Sequence, residues 1–248
     1  MKYWSLALGT AAALIAVVAA SFWNEWAVAG VSAAAAAAVG LAWPHLLDIP
    51  ARKSQGVALA LVGVGSVAGA AFAPPTSLMS WMPAAAAVGV GAIFLIQLLR
   101  GTGQAHRLES TIGAVSGALV VVLGSGWVAL DRLPHLADGG LVAAVAGAAG
   151  ALVALAAAMI PLPDRMLAPL GVLAGIIASG LAAFLLDPSV LLPCAVIGAV
   201  GAAVIMAVRR LVLSRDEALN LGGKVAVALG PVLVLGAGTY FLGRLLLP

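Results

Sequence analysis

The side chains best equipped for chemistry gather in Arg100-Gly-Thr-Gly-Gln-Ala-His-Arg-Leu-Glu-Ser110, where two guanidiniums, an imidazole and a carboxylate surround two glycines. Arg100 and Arg107 supply forked donors that match phosphate oxygens, and His106 and Glu109 can exchange protons. The glycines let backbone N–H groups approach an anion. A phosphate or lipid headgroup is the ligand such a combination would hold. The Gly-Lys-Ser/Thr ending of a nucleotide-binding loop is missing, so no nucleotide is expected. A solvated basic loop between two membrane spans accounts for the same residues.

A second polar stretch runs from Arg209 and Arg210 to Lys224. Ser214 is placed to cap a short interfacial helix led by Asp216 and Glu217, with the bases held by anionic lipid. If the Arg100–Glu109 loop faced His45 and this stretch, the three would make a headgroup site on one side of a membrane. Metal chemistry is not indicated. His45 and His106 each stand alone, without His-x-x-x-His or Cys-x-x-Cys spacing. No cofactor motif and no Gly-x-Ser-x-Gly elbow occurs. The nine acids are dispersed, which leaves an enzyme without an evident general base.

Every Asp, Glu, Lys, Arg and His falls at the end of an apolar run or between runs. Ionisable groups at membrane depth usually mark proton relays, so a proton- or sodium-coupled pump is not expected. The polar residues left at depth are Ser66, Gln97, Ser116, Ser125, Ser179 and Thr239. Gln97 lies one turn before Arg100 and either contacts a solute, reaches the interface or bonds to a neighbouring helix.

The elements that carry these residues are membrane helices. Of the 248 residues 64% are hydrophobic and only 8% charged, against about a quarter in soluble domains. Mean hydropathy is +1.18. Apolar runs recur at 5–21, 27–47, 55–73, 80–99, 109–130, 139–160, 166–186, 189–208 and 222–246, each about as long as a crossing of a hydrocarbon core about 30 Å thick requires. The runs are apolar all round, with no period-two alternation, which excludes a barrel. The fold expected is an all-α integral membrane protein, a polytopic bundle of about nine transmembrane helices forming one domain over residues 1–248. The first run resembles a signal peptide but is read as an ordinary first span. Cys194, the single cysteine, excludes an internal disulfide.

Alternating the spans across a membrane places Lys2, Arg52, Lys53, Arg100, Arg107, Arg165, Arg209, Arg210, Arg215 and Lys224 on one side, and only Arg132 and Arg244 on the other. That asymmetry predicts a cytoplasmic N-terminus and an external C-terminus. Trp4, Trp23, Trp26, Trp43, Trp81 and Trp127 fall near span ends and are expected at headgroup level. Gly65/Gly69, Gly113/Gly117 and Gly171/Gly175 are spaced for close helix packing. Gly230-Pro231 is expected to kink the last span and free a carbonyl. Pro44-His45-Leu46-Leu47-Asp48 and Pro134-His135-Leu136-Ala137-Asp138 suit an inverted three-helix repeat, but the same offset lays the first span onto a loop, so the match is read as coincidence.

Three functions are compatible with this pattern. The first is a permease- or flippase-like carrier for an uncharged, zwitterionic or lipidic solute in a bacterial plasma membrane, without intrinsic proton coupling. The second is a membrane enzyme or binder acting on lipid phosphates at the cytoplasmic face. The third is an accessory subunit docked to another membrane protein. Membrane lipids are the expected partners throughout, and no basic stripe with interleaved aromatics suggests nucleic acid.

Overall fold

A computed structural model describes residues 2–47, 52–100, 107–133, 139–215 and 218–247. The described residues are helical throughout, apart from short connections. The α-helices are α1 (Lys2–Ser21), α2 (Glu25–Leu46), α3 (Arg52–Phe72), α4 (Trp81–Leu99), α5 (Arg107–Val122), α6 (Ser125–Asp131), α7 (Gly139–Ala157), α8 (Asp164–Leu186), α9 (Leu191–Leu213) and α10 (Leu221–Leu246). Short 3-10 helices, Pro75–Ser77 and Pro188–Val190, precede α4 and α9. Among the described residues nine segments are long and apolar enough to cross a membrane, with α5 and α6 forming one segment, Leu108–Asp131. Large apolar side chains such as Leu61, Phe72, Leu99 and Leu192 are exposed around the bundle, as a lipid-facing surface requires.

Consecutive spans run in opposite directions, so the termini of the spans collect at two ends. One end carries Arg52, Arg100, Arg165, Arg209 and Lys224 and is called the basic face below. The opposite end carries Arg132 and Arg244. The bundle is organised around α10, which packs against α1, α2, α6 and α9. Two crossings bring backbone onto backbone. A Cβ on Gly40 of α2 would run into the backbone of Ala60 on α3, and one on Gly126 of α6 into the backbone of Ala237 on α10. Small residues at such crossings supply the close van der Waals contact that holds helices together in lipid.

At the opposite face Arg132 ties three helices together. Its Nη1 donates to Ala70 O at 2.6 Å and Ala73 O at 3.0 Å, carbonyls at the end of α3, and its Nε lies 3.1 Å from Glu25 Oε2 at the start of α2. In the turn after α8, Asp187 accepts from Ser189 N at 3.0 Å and Ser189 Oγ at 2.7 Å. These two hydrogen bonds, the hydroxyl's first, hold its carboxyl below the usual carboxylate range.

Three expectations need correction. Trp127 is buried and donates from Nε1 to Val232 O at 2.8 Å, and Trp43 is half-buried and donates to Gly113 O at 2.9 Å. Both indoles are packing wedges between helices; Trp4, Trp23, Trp26 and Trp81 do lie exposed near span ends. The last span is assigned as one helix through Pro231, and the fifth span is interrupted at Leu123–Gly124. Val122 O at that break accepts from Ser125 Oγ at 2.6 Å and Ser66 Oγ at 3.2 Å, which replaces the lost helical bonds. Gly65 faces no neighbour within 4 Å, whereas Gly69, Gly117, Gly171 and Gly175 each receive one. Finally, Ser214 ends α9 and bonds back to Leu211 O at 2.9 Å, while Asn220 caps α10 by accepting from Gly223 N at 2.7 Å. Asp216 and Glu217 lie outside the described residues.

Candidate functional site

Among the described residues no Asp, Glu, Lys, Arg or His side chain is buried; the buried polar groups include Thr10, Ser32, Gln55, Ser66, Gln97, Ser110, Ser125, Ser179 and Thr239, with the Cys194 thiol and the Tyr240 phenol buried beside them. A charge at depth has no water to solvate it, so the chain keeps its titratable groups at helix ends. Chemistry therefore lies at the basic face or in the spaces that open from it.

The candidate residues fall into three local groups there. Gln97, near the end of α4, is buried and donates from Nε2 to Ser110 Oγ of α5 at 3.0 Å, so it bonds to a neighbouring helix. Arg100 caps the end of α4, and Glu109 stands in the first turn of α5; each of the two has a polar or electrostatic partner. Arg107 begins α5, and His106 lies outside the described residues. In the second group His45, in the last turn of α2, meets the start of α10. Its backbone carbonyl accepts from Asn220 Nδ2 at 3.1 Å, and its ring stands where a side chain on Gly222 would go. Arg215 joins them by donating to Leu46 O at 3.1 Å. In the third group Arg209 forms an ion pair with Asp164 and donates from Nε to Ala158 O at 2.9 Å, locking α9 to the start of α8. Arg210 and Arg165 border a small pocket of about 220 Å³ beside that pair. No group of three metal-capable side chains occurs among the described residues.

Several spaces open from the basic face, and one of them reaches inward between the last two helices. A groove of about 580 Å³ runs between α9 and α10, closed at its sides by the end of α2 and by α5. Ser214, Arg215 and Leu47 stand at its basic end, and Val120, Val204 and Val234 reach the middle of their spans. Its floor is Gly230-Pro231. Pro231 has no N–H to give the carbonyl of Val227, which also lines the groove. The walls are almost wholly hydrocarbon, with the one described cation at the mouth.

Gln55 was missed in the sequence because it follows Arg52 and Lys53 and reads as the edge of a headgroup loop. Here it lies in the second turn of α3, wholly buried, and neither its Oε1 nor its Nε2 has a partner. The register offers a signal: Gln55 precedes Leu59 by one turn, and Leu59 packs with Ile93 and Ala114. Ser32, buried in α2 with its hydroxyl unpartnered, had no such signal. No family model, curated protein or solved structure matches the chain.

Proposed function

We propose that this protein is a permease- or flippase-like carrier for a lipidic solute, working without intrinsic proton coupling. The observation that carries this reading is the α9/α10 groove, which extends from the basic face to mid-span and combines hydrocarbon walls with Arg215 at its mouth. A tail fits the walls and an anionic or zwitterionic head fits the mouth, because an apolar surface offers nothing to a polar solute while a guanidinium favours phosphate or carboxylate. The groove's wall residues Val204, Val208 and Val234 are only half-buried, so a solute can enter sideways from the bilayer. A lipid-phosphate enzyme is less well supported, since no one pocket is lined by described candidate residues of more than one group.

The test is transbilayer movement of head-labelled phosphatidylglycerol in liposomes holding the full chain, read by a membrane-impermeant quencher. The protein should speed movement several-fold over empty vesicles, and Val208→Trp or Val234→Trp, which fill the groove, should return the rate to background. Movement no faster than in empty vesicles, or unchanged by both substitutions, sinks the reading.

A further inference from the structure

The element order repeats. The run α2, α3, a proline-led 3-10 helix, α4 and the fifth span is followed by α7, α8, a second proline-led 3-10 helix, α9 and α10. The sequence repeats with it at a spacing of about 112 residues. Pro50 before α3 and Arg52 at its start correspond to Pro163 before α8 and Arg165 in its first turn. Ala70-Ala71-Phe72 corresponds to Ala182-Ala183-Phe184, Pro75 to Pro188, Pro83 to Pro193, Gly91 to Gly201 and Arg100 to Arg210. Most telling is Leu-Gly-x-Gly-x-x-x-Leu-x-Arg-Leu, which occurs at 123–133 and again at 235–245. The two copies of this motif pack against each other: Gly126 abuts Ala237, and Trp127 abuts Gly236. Four helices return the chain to the same side, so the copies are parallel. This differs from the inverted three-helix arrangement suggested by the two Pro-His-Leu segments.

Equivalent helices frame equivalent spaces. A lateral groove of about 650 Å³ lies between α4 and α5, just as the candidate carrier groove lies between α9 and α10. The walls correspond position by position: Phe94 matches Val204, Leu98 matches Val208 and Val115 matches Val227. Arg100 ends α4 where Arg210 stands in the last turn of α9. The copies have diverged at the basic end of this groove. Gln97 and Ser110 pair there where the second copy has Ala207 and Gly222, and Gln55 occupies the same layer, one turn from Leu59 as Gln97 is from Ile93 and Ser110 from Ala114. Gln55 itself is wholly buried behind the groove, so of this layer Gln97 is the side chain that lines it.

We infer that the chain is a tandem duplication of a four-helix unit, and that the α4/α5 groove is a second site for an anionic amphiphile of the kind the α9/α10 groove takes. The tail lies along Phe94 and Leu98, and the head meets Gln97 and Thr111 at the basic end, where Arg100 ends α4. The class of ligand rests on the carrier reading; the existence of a paired site rests on the repeat. The duplication also accounts for the asymmetric use of the two units. α9 is packed by α7, α8 and α10, whereas α4 is packed by α3 and α5 and leaves its outer face to lipid.

Native mass spectrometry of the full-length protein, released from detergent after titration with dioleoylphosphatidylglycerol, counts the retained lipids. Two should be retained, and phosphatidylcholine at the same concentration should be retained less. Leu98→Trp and Ile112→Trp, both at exposed positions in the α4/α5 groove, should each reduce the count to one, as should Val208→Trp in the other groove. Loss of one lipid with Val208→Trp but none with either α4/α5 substitution would overturn the second site and leave the carrier reading intact. Loss with the α4/α5 substitutions alone would count against the carrier groove instead. Equal retention of phosphatidylcholine would overturn the assignment of an anionic head.

Discussion

Arg132 reaches across from the end of α6 to Glu25 at the start of α2, with 3.1 Å between Nε and Oε2, while its Nη1 covers two terminal carbonyls of α3. The last carbonyls of a helix have no partner within it, and in a bilayer they must find one elsewhere. One side chain thus closes three helix ends, on the face where described cations are fewest.

Arg132→Ala should therefore destabilise more than loss of its ion pair alone. The carbonyls of Ala70 and Ala73 would lose a charged donor, an effect of about 1–3 kcal/mol, whereas Glu25→Gln, at a half-exposed pair, should change stability by about 1 kcal/mol or less. Thermal inactivation of the purified protein in detergent, followed by loss of the monodisperse peak, checks the order. Equal sensitivity of the two variants would show that the carbonyl contacts contribute nothing.

Gly126→Ala should be among the most damaging single substitutions in the chain. The new methyl group meets the backbone of Ala237, which cannot rotate aside, so α6 and α10 must separate. Gly91→Ala meets nothing within 4 Å and removes a glycine from a helix interior, so it should be neutral or stabilising by up to about 1 kcal/mol. Expression level and melting behaviour in detergent compare the two. Similar behaviour would mean that the α6/α10 crossing is looser than its geometry indicates.

The spans were legible in the sequence because a membrane segment announces itself by length and apolarity, and each run has a helix within a few residues of its expected bounds. Packing was less legible. Trp43 and Trp127 stand near span ends, where an indole reads as an interfacial anchor, yet each faces a neighbouring glycine-rich helix that leaves room for the ring. The break at Leu123–Gly124 carries no proline. It is set by the crossing with α10 and by the serines that take up its carbonyls, contacts that one segment alone does not reveal. Gln55 was hidden by its own neighbours, since two adjacent cations place any following polar residue at headgroup level until the helix start is known. The described candidate residues lie at one end of the bundle, but their division into local groups depends on which helices are adjacent.

Reporter fusions decide the orientation expected from the charge asymmetry. A fusion after Leu219, which lies between α9 and α10, should report a cytoplasmic site, and one at Pro248 an external site. The opposite pattern would invert every assignment of the basic face.

Transport, if reconstituted, should ignore an imposed proton gradient. Asp187, at a span end, is held ionised by Ser189, so its folded pKa is depressed and it takes up a proton only as pH falls below the ordinary carboxylate range. Neither Asp187→Asn nor Glu109→Gln should alter the response to a gradient. Proton-driven uptake abolished by one of these substitutions would place a coupling carboxylate where none is expected.

Thr10 donates to Leu6 O at 3.0 Å and also to Ala228 O at 2.8 Å, and the α-carbon of Gly9 leaves room for the Ala228 methyl. A span made early is thereby joined to one that leaves the ribosome 218 residues later. Until α10 is made, α1 waits with its hydroxyl occupied only by its own preceding turn, an arrangement that needs no partner and is stable in lipid. Assembly of the bundle is thus deferred by chain order. Helices that meet early, such as α2 with α3, can settle while synthesis continues, but the contacts with α10 form only after that helix arrives. A nascent chain stalled before α10 would hold its first span loosely, open to quality-control proteases that the finished bundle excludes.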